Sequence, residues 1–252
     1  MRNKQHLYNL LLHLADNDLI LGQRLSEWCG HGPALEQDIA MTNIALDLIG
    51  QAEMWYQYAQ SLGVTDMNED QLAFTRNEWE YKNVLLVEYP NTDFGYTIVR
   101  QLFFDVFHQL ILKSLTHSAD TRLAAIAEKA IKEVDYHVKF SSEWLIRLGD
   151  GTELSHQKVQ AAINELCDYA NELFLPTLSE SIMAKAGIGY DLESLRPVWK
   201  SEIQNILKIA TLDVPEKEGH QKGGKNGQHS EYFGHLLSEM QFLQRAYPNM
   251  TW

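Results

Sequence analysis

Apolar residues recur along this chain with the period of an α-helix. Leu7, Leu11, Leu14, Leu21, Leu25 and Trp28 fall on one face of a long first helix, with Asp18 in the one polar slot of that stripe. Gly30 and Gly32-Pro33 end it. A second helix is expected from about Ala34 to Leu62, with the stripe Ala40, Ile44, Asp47, Gln51, Met54 and Tyr58. Residues 63–92 read as a long connection holding a short helical segment, Asp70–Val87, that stops at Tyr89-Pro90-Asn91. A third helix runs from about Asp93 to His117, with Ile98, Leu102, Asp105, Gln109 and Leu112 in its stripe. A fourth starts at Asp120, a good N-cap, and reaches Leu148 before Gly149-Asp150-Gly151. Its stripe is Leu123, Ala127, Ala130, Val134, His137, Ser141, Trp144 and Leu148.

Two short helix–helix links and one long crossover predict an all-α chain with the connectivity of a ferritin-like four-helix bundle. Further helices are expected at about 153–186 and 192–211. A polar loop follows from Val214-Pro215 to His229, and a last helix near Ser230–Ala246. No strand run and no linker is evident before residue 212. The chain therefore reads as one domain over 1–252, a core bundle at about 5–149 and a C-terminal helical extension at about 153–252.

Composition narrows the function classes. Hydrophobic residues make up 45% of the 252 and charged residues 22%, ordinary values for a folded chain and far from disorder. The formal net charge of -13 disfavours phosphate backbones and anionic membranes, so neither nucleic acid nor membrane is expected as a partner. His13, Asp16 and Asp18 interrupt the leucines near the start, which therefore fail as a signal peptide, and no apolar run is long enough to span a bilayer. The default compartment is the cytoplasm. Two cysteines cannot build a disulfide framework or a cysteine zinc site. Cys29, close to His31, is expected to be a small buried thiol rather than a nucleophile. Of the six tryptophans, some should fill the core and some anchor an interface.

The helical stripes carry the outline of a metal site. Carboxylate-bridged di-iron bundles take one carboxylate from each of two helices and a Glu-x-x-His from each of the other two. Asp18 and Asp105 occupy the single-carboxylate positions, and Asp47 lies 29 residues after Asp18 as Val134 does after Asp105. Three residues further on stand Gly50 and His137, and every first-hairpin position maps to its second-hairpin counterpart by the same offset of 87. The layout is that of a duplicated two-hairpin site with ligands missing. Val134 stands where a bridging Glu belongs and cannot bind a metal, and Gly50 stands where a His belongs. Asp18, Asp47, Asp105 and His137 remain, too few donors for a pair of hard ions, and this favours a metal-free buried polar cluster. Asp16 is the alternative to Asp18, since helix phase can slip by a residue or two. The rival is a di-metal enzyme using Asp18, Asp47, Asp105, Glu133 and His137, which needs helix four to rotate or a π-bulge to turn Glu133 inward.

Residues 24–52 (RLSEWCGHGPALEQDIAMTNIALDLIGQA), 74–105, 130–152 (AIKEVDYHVKFSSEWLIRLGDGT) and 223–245 (GGKNGQHSEYFGHLLSEMQFLQR) together resemble one family, the PaaC-type subunits of the bacterial ring 1,2-phenylacetyl-CoA epoxidases. The resemblance runs from about residue 5 to Trp252. It implies a ferritin-like fold and a structural, non-catalytic role beside a PaaA-type sister subunit that carries the di-iron site. It also implies a reductase partner supplying electrons from NADPH through FAD and iron–sulfur, and no cofactor in this chain. On that view Asp18, Asp47, Asp105 and His137 are a vestige kept as a hydrogen-bonded network. The loop 214–231 holds four glycines and three lysines, and its plainer reading is a solvated or partner-docking loop. Lys222 and Lys225 are its candidates for contact with CoA phosphates.

Overall fold

The computed structural model describes residues 2–215, 219–248 and 250, and among these there is no strand. The chain is all-α. In order come α1 (Arg2–Ser26), α2 (Leu35–Ser61), α3 (Glu69–Phe74), α4 (Phe94–Leu115), α5 (Thr121–Gly149), α6 (Glu153–Ala170), α7 (Leu178–Lys185), α8 (Leu192–Ile209), α9 (Glu231–Met240) and α10 (Phe242–Ala246). A hairpin, a long crossover, a second hairpin and trailing helices follow one another as in a ferritin-like bundle with C-terminal additions. Contacts gather the chain into two compact units, Met1–Glu88 with Gly223–Trp252, and Tyr89–Lys222.

In the first unit α1 and α2 pack along their length. Every α1 residue from 10 to 22 is buried, His13, Asp16, Asn17 and Asp18 included. A helix apolar on one stripe alone would leave its other face in water; α1 is instead covered on all sides. Its buried polar side chains must therefore find partners, and they reshape the next segment. The expected helix over Asp70–Val87 is α3 followed by two 3₁₀ turns, Glu78–Glu80 and Leu85–Glu88. The cause lies in α1. Asp16 accepts from the backbone N–H of Lys82 at 2.7 Å, and Asn17 from that of Val84 at 2.8 Å. Donors that would have closed helical turns are drawn out to those two side chains instead. The link between α1 and α2 also differs from expectation: α1 ends at Ser26, Trp28 lies beyond it, and Cys29 is exposed rather than buried.

The second unit is built around α4, whose residues 97 to 112 are all buried. α5, α6 and α8 pack on it. α5 follows the expected stripe closely, burying Leu123, Ala127, Ala130, Val134, His137 and Ser141, and Asp120 caps it by accepting from the N–H groups of Arg122 and Leu123. The helix expected over 153–186 breaks in two. Pro176 forces Leu175 into an extended conformation, and Thr177 then caps α7 with Glu180 completing a capping box. The last expected helix is likewise divided, into α9 and α10, at Gln241. Trp252 lies outside the described residues.

Candidate functional site

The first-hairpin half of the expected site falls in the first unit. Asp18 is buried on α1 and accepts a hydrogen bond from Trp55 Nε1 on α2 at 3.1 Å. Asp47 is only half-buried. The buried face of α2 is centred on Ile44, Leu48 and Trp55, so the stripe drawn through Asp47 runs along its edge rather than its middle. Gly50 is half-buried too, and open space lies where a side chain there would begin. Asp16 is as buried as Asp18 but serves a different cluster. Its carboxylate accepts from Tyr56 Oη at 2.5 Å, from the Arg76 guanidinium through both Nη atoms, and from the Lys82 backbone. Arg76 lies over the Tyr81 ring, 4.1 Å from its centroid. Burial alone would lower the guanidinium's pKa, but the Asp16 carboxylate together with the neighbouring Tyr56 and Tyr81 turns the net shift upward, so it stays charged. Burial pushes the Tyr81 phenol up to about 12 and raises that of Tyr56 as well, so both of these aromatic hydroxyls act as neutral donors.

The second-hairpin half falls in the second unit. Asp105 is fully buried on α4, where Gln101 Nε2 donates to it at 2.6 Å and Ser141 Oγ, from α5, at 2.8 Å. Burial raises its carboxyl to about 6, although the His137 charge and both hydrogen bonds work to lower it. His137 is fully buried, and one turn before it Val134 is too. His108 stands in the same region of α4, driven down to about 3 by burial and by His137, and is therefore neutral. Glu133 is half-buried and off the Val134/His137 face.

A di-iron or comparable centre needs several hard donors converging on one point. Within neither unit do the described residues bring together three or more His, Cys, Asp or Glu able to hold a metal ion. The donors present are instead engaged with Trp55, Gln101 and Ser141, and the bridging position is a buried valine. The described residues do not fit a di-metal centre. A model of the family described as phenylacetic acid catabolic protein matches residues 1–252. The chain belongs to the phenylacetic acid catabolic protein family. It is 48% identical over 241 residues, 96% of its length, to a protein of Escherichia coli (strain K12) named as the C subunit of 1,2-phenylacetyl-CoA epoxidase, of which the match covers 97%.

Two buried side-chain pairs in this member of the phenylacetic acid catabolic family were not visible in its sequence. One is Asp16–Arg76. The other is Glu88–His229, in the same unit, with Nδ1 2.6 Å from the carboxylate and Nε2 3.2 Å from the Tyr81 carbonyl. Glu88 also accepts from Asn83 Nδ2 and from the Ser230 N–H, both at 2.8 Å. Two acidic residues inside apolar runs were the only hint of these pairs, and their partners lie 60 and 141 positions away. The glycine-rich loop is pressed against its own chain. A Cβ on Gly224 would fall 2.3 Å from the Asn83 carbonyl oxygen, and one on Gly227 2.2 Å from that of Trp79. Lys225 is 5% exposed in the first unit, whereas Lys222 is exposed at the end of the second.

Proposed function

We propose that this chain is the structural, non-catalytic subunit of a multicomponent phenylacetyl-CoA 1,2-epoxidase of aerobic phenylacetate degradation. It acts in the cytoplasm beside a ferritin-like, PaaA-type subunit that carries the di-iron centre, fed from NADPH by a reductase with FAD and iron–sulfur. The observation that carries this reading is the state of the ligand-like positions. Val134 removes the bridge, and Asp18 and Asp105 are tied into hydrogen bonds with Trp55, Gln101 and Ser141. The name of the E. coli relative supports the complex and its substrate class.

The physical task of such a subunit is to hold its partner's helices in the geometry that oxygen activation needs. The outer face of α2 suits that task. Leu35, Ile39 and Leu46 are 71%, 53% and 61% exposed there, and their spacing puts them on one side of the helix. The test is to co-purify this chain with its catalytic partner after growth in iron, separate the two, and count iron in each. Iron is expected in the partner alone, before and after Asp105→Asn or His137→Ala in this chain. Stoichiometric iron in this chain, removed by those substitutions, would overturn the reading.

A further inference from the structure

Within the first unit, the 3₁₀ turn Glu78–Glu80 and the helices α9 and α10 border an open groove. From α9 and its C-cap it is lined by the buried Leu237 and Gln241 and by two small residues, Gly234 and Ser238, one turn apart. Gln241 is fixed there, donating through Nε2 to the Arg76 carbonyl at 2.9 Å and to Tyr81 Oη at 2.8 Å. Each border carries a large aromatic ring in the open. Trp79 on the turn is 65% exposed and Phe242 on α10 is 63% exposed. Leu243 and Tyr247, one turn apart beside Phe242, are exposed as well and widen the apolar surface. Charge in the groove is divided between its ends. The Glu78 carboxylate lies by Gly234, 3.8 Å from where a Cβ there would stand. The Arg245 guanidinium lies by the end of α3, where Nη2 donates to the Thr75 and Arg76 carbonyls at 3.3 and 2.9 Å. Neither has an ion-pair partner among the described residues.

Such a surface is complementary to itself. A second copy turned by 180° about an axis through the middle of the groove sets its negative end over the positive end of the first. A two-fold contact makes every pairing twice, so Glu78 of each copy meets Arg245 of the other. The same rotation carries Phe242 of each copy towards the other's groove, where Trp79 and the small residues receive it. Aromatic residues and Arg are the types that carry interface energy. A partner of one charge sign would match only one end. The two charges in the lining cancel, whereas the chain as a whole carries -13 and repels its own copies elsewhere. We infer that this groove seats a second copy of the chain in a two-fold dimer. The inference uses none of the α2 residues assigned to the catalytic partner and stands whether or not the chain is an epoxidase subunit.

The test is sedimentation velocity of the full chain from about 1 μM to about 1 mM. A reversible monomer–dimer equilibrium is expected, with a Kd on the order of tens of micromolar, the strength of a small transient contact. Trp79→Ala should weaken it roughly tenfold or more. Glu78→Arg and Arg245→Glu, each alone, set like charges opposite one another at both ends of the contact and should leave a monomer. Mixed in equal amounts, these two variants regain both ion pairs and should dimerise as the parent chain does. Glu78 and Trp79 are exposed, so their substitutions leave folding intact and keep the test decisive should Arg245→Glu unfold. Three results would each overturn the inference: a monomer at every concentration, a dimer unchanged by Trp79→Ala and Glu78→Arg, or two folded charge variants that stay monomeric when mixed.

Discussion

Asp105 shows what burial does to a single carboxyl group. Its carboxyl sits among Gln101, Ser141 and His137, and burial raises it to about 6. In the unfolded chain it titrates near 4. The folded state therefore binds the proton more tightly. Its stabilising share is complete below about pH 4 and is lost as the pH rises through about 6. The difference amounts to about 2–3 kcal/mol. Asn at this position does not titrate. It can still accept from Gln101 and can donate to Ser141 Oγ, whose own proton turns to the His137 carbonyl at 2.9 Å. Urea unfolding of Asp105→Asn and the parent chain across pH 4–7 should give curves whose gap widens in favour of the variant as the pH rises. A constant gap would mean that Asp105 is not titrating in this window. At this scale the sequence marked Asp18, Asp105 and His137 as buried and got the phase of α5 right. It could not decide between Asp16 and Asp18, because the question assumed one inward face, whereas α1 is buried all round and takes both.

At the scale of elements, helices with one apolar stripe were legible and segments held by long-range pairs were not. α5 matches its stripe because its other side faces water, so hydrophobicity and burial carry the same period. The segment after α3 carries helix-like residues, yet its backbone donors go to Asp16 and Asn17, information that resides in α1. The C-terminal segment is fastened by the same kind of link. Glu88 is buried, and its carboxylate takes up His229, Asn83 and the N–H of Ser230, next to α9. His229→Ala leaves that buried carboxylate without its imidazole partner, a loss of about 1–3 kcal/mol. The expected outcome is a lower melting temperature and faster proteolysis within residues 223–245. Pairing the change with Glu88→Gln should recover much of the loss. Gly227→Ala tests the loop itself. The residue adopts φ +80° and its new methyl would meet the Trp79 carbonyl, so about 1–2 kcal/mol of backbone strain is joined by a clash. Stability should fall by more than that strain alone, and a neutral result would mean that the loop does not press on the 77–85 segment.

Over the whole molecule, the offset of 87 between the hairpins places α2 onto residues 122–148, almost the span of α5, Thr121–Gly149. The two helices nevertheless present different outer surfaces. α5 is largely polar outside, while the first half of α2 carries Leu35, Ile39 and Leu46 in the open and its second half carries Glu53 and Gln60 on the same side. Exposed apolar residues on a helix add little to the stability of the chain that bears them, so Ile39→Asp and Leu46→Asp should each change unfolding free energy by no more than about 0.5 kcal/mol. At the centre of an interface the same changes cost well over 1 kcal/mol each, through lost apolar contact and a buried, unpaired charge. Co-purification with the catalytic partner should therefore fail for Ile39→Asp and Leu46→Asp while their helical content and melting temperature hold. Gln60→Asp adds the same charge further along the same face and should leave pairing intact. Pairing that survives both apolar substitutions would remove α2 from the interface, and loss with all three would point to charge repulsion from an acidic partner rather than to an apolar seat.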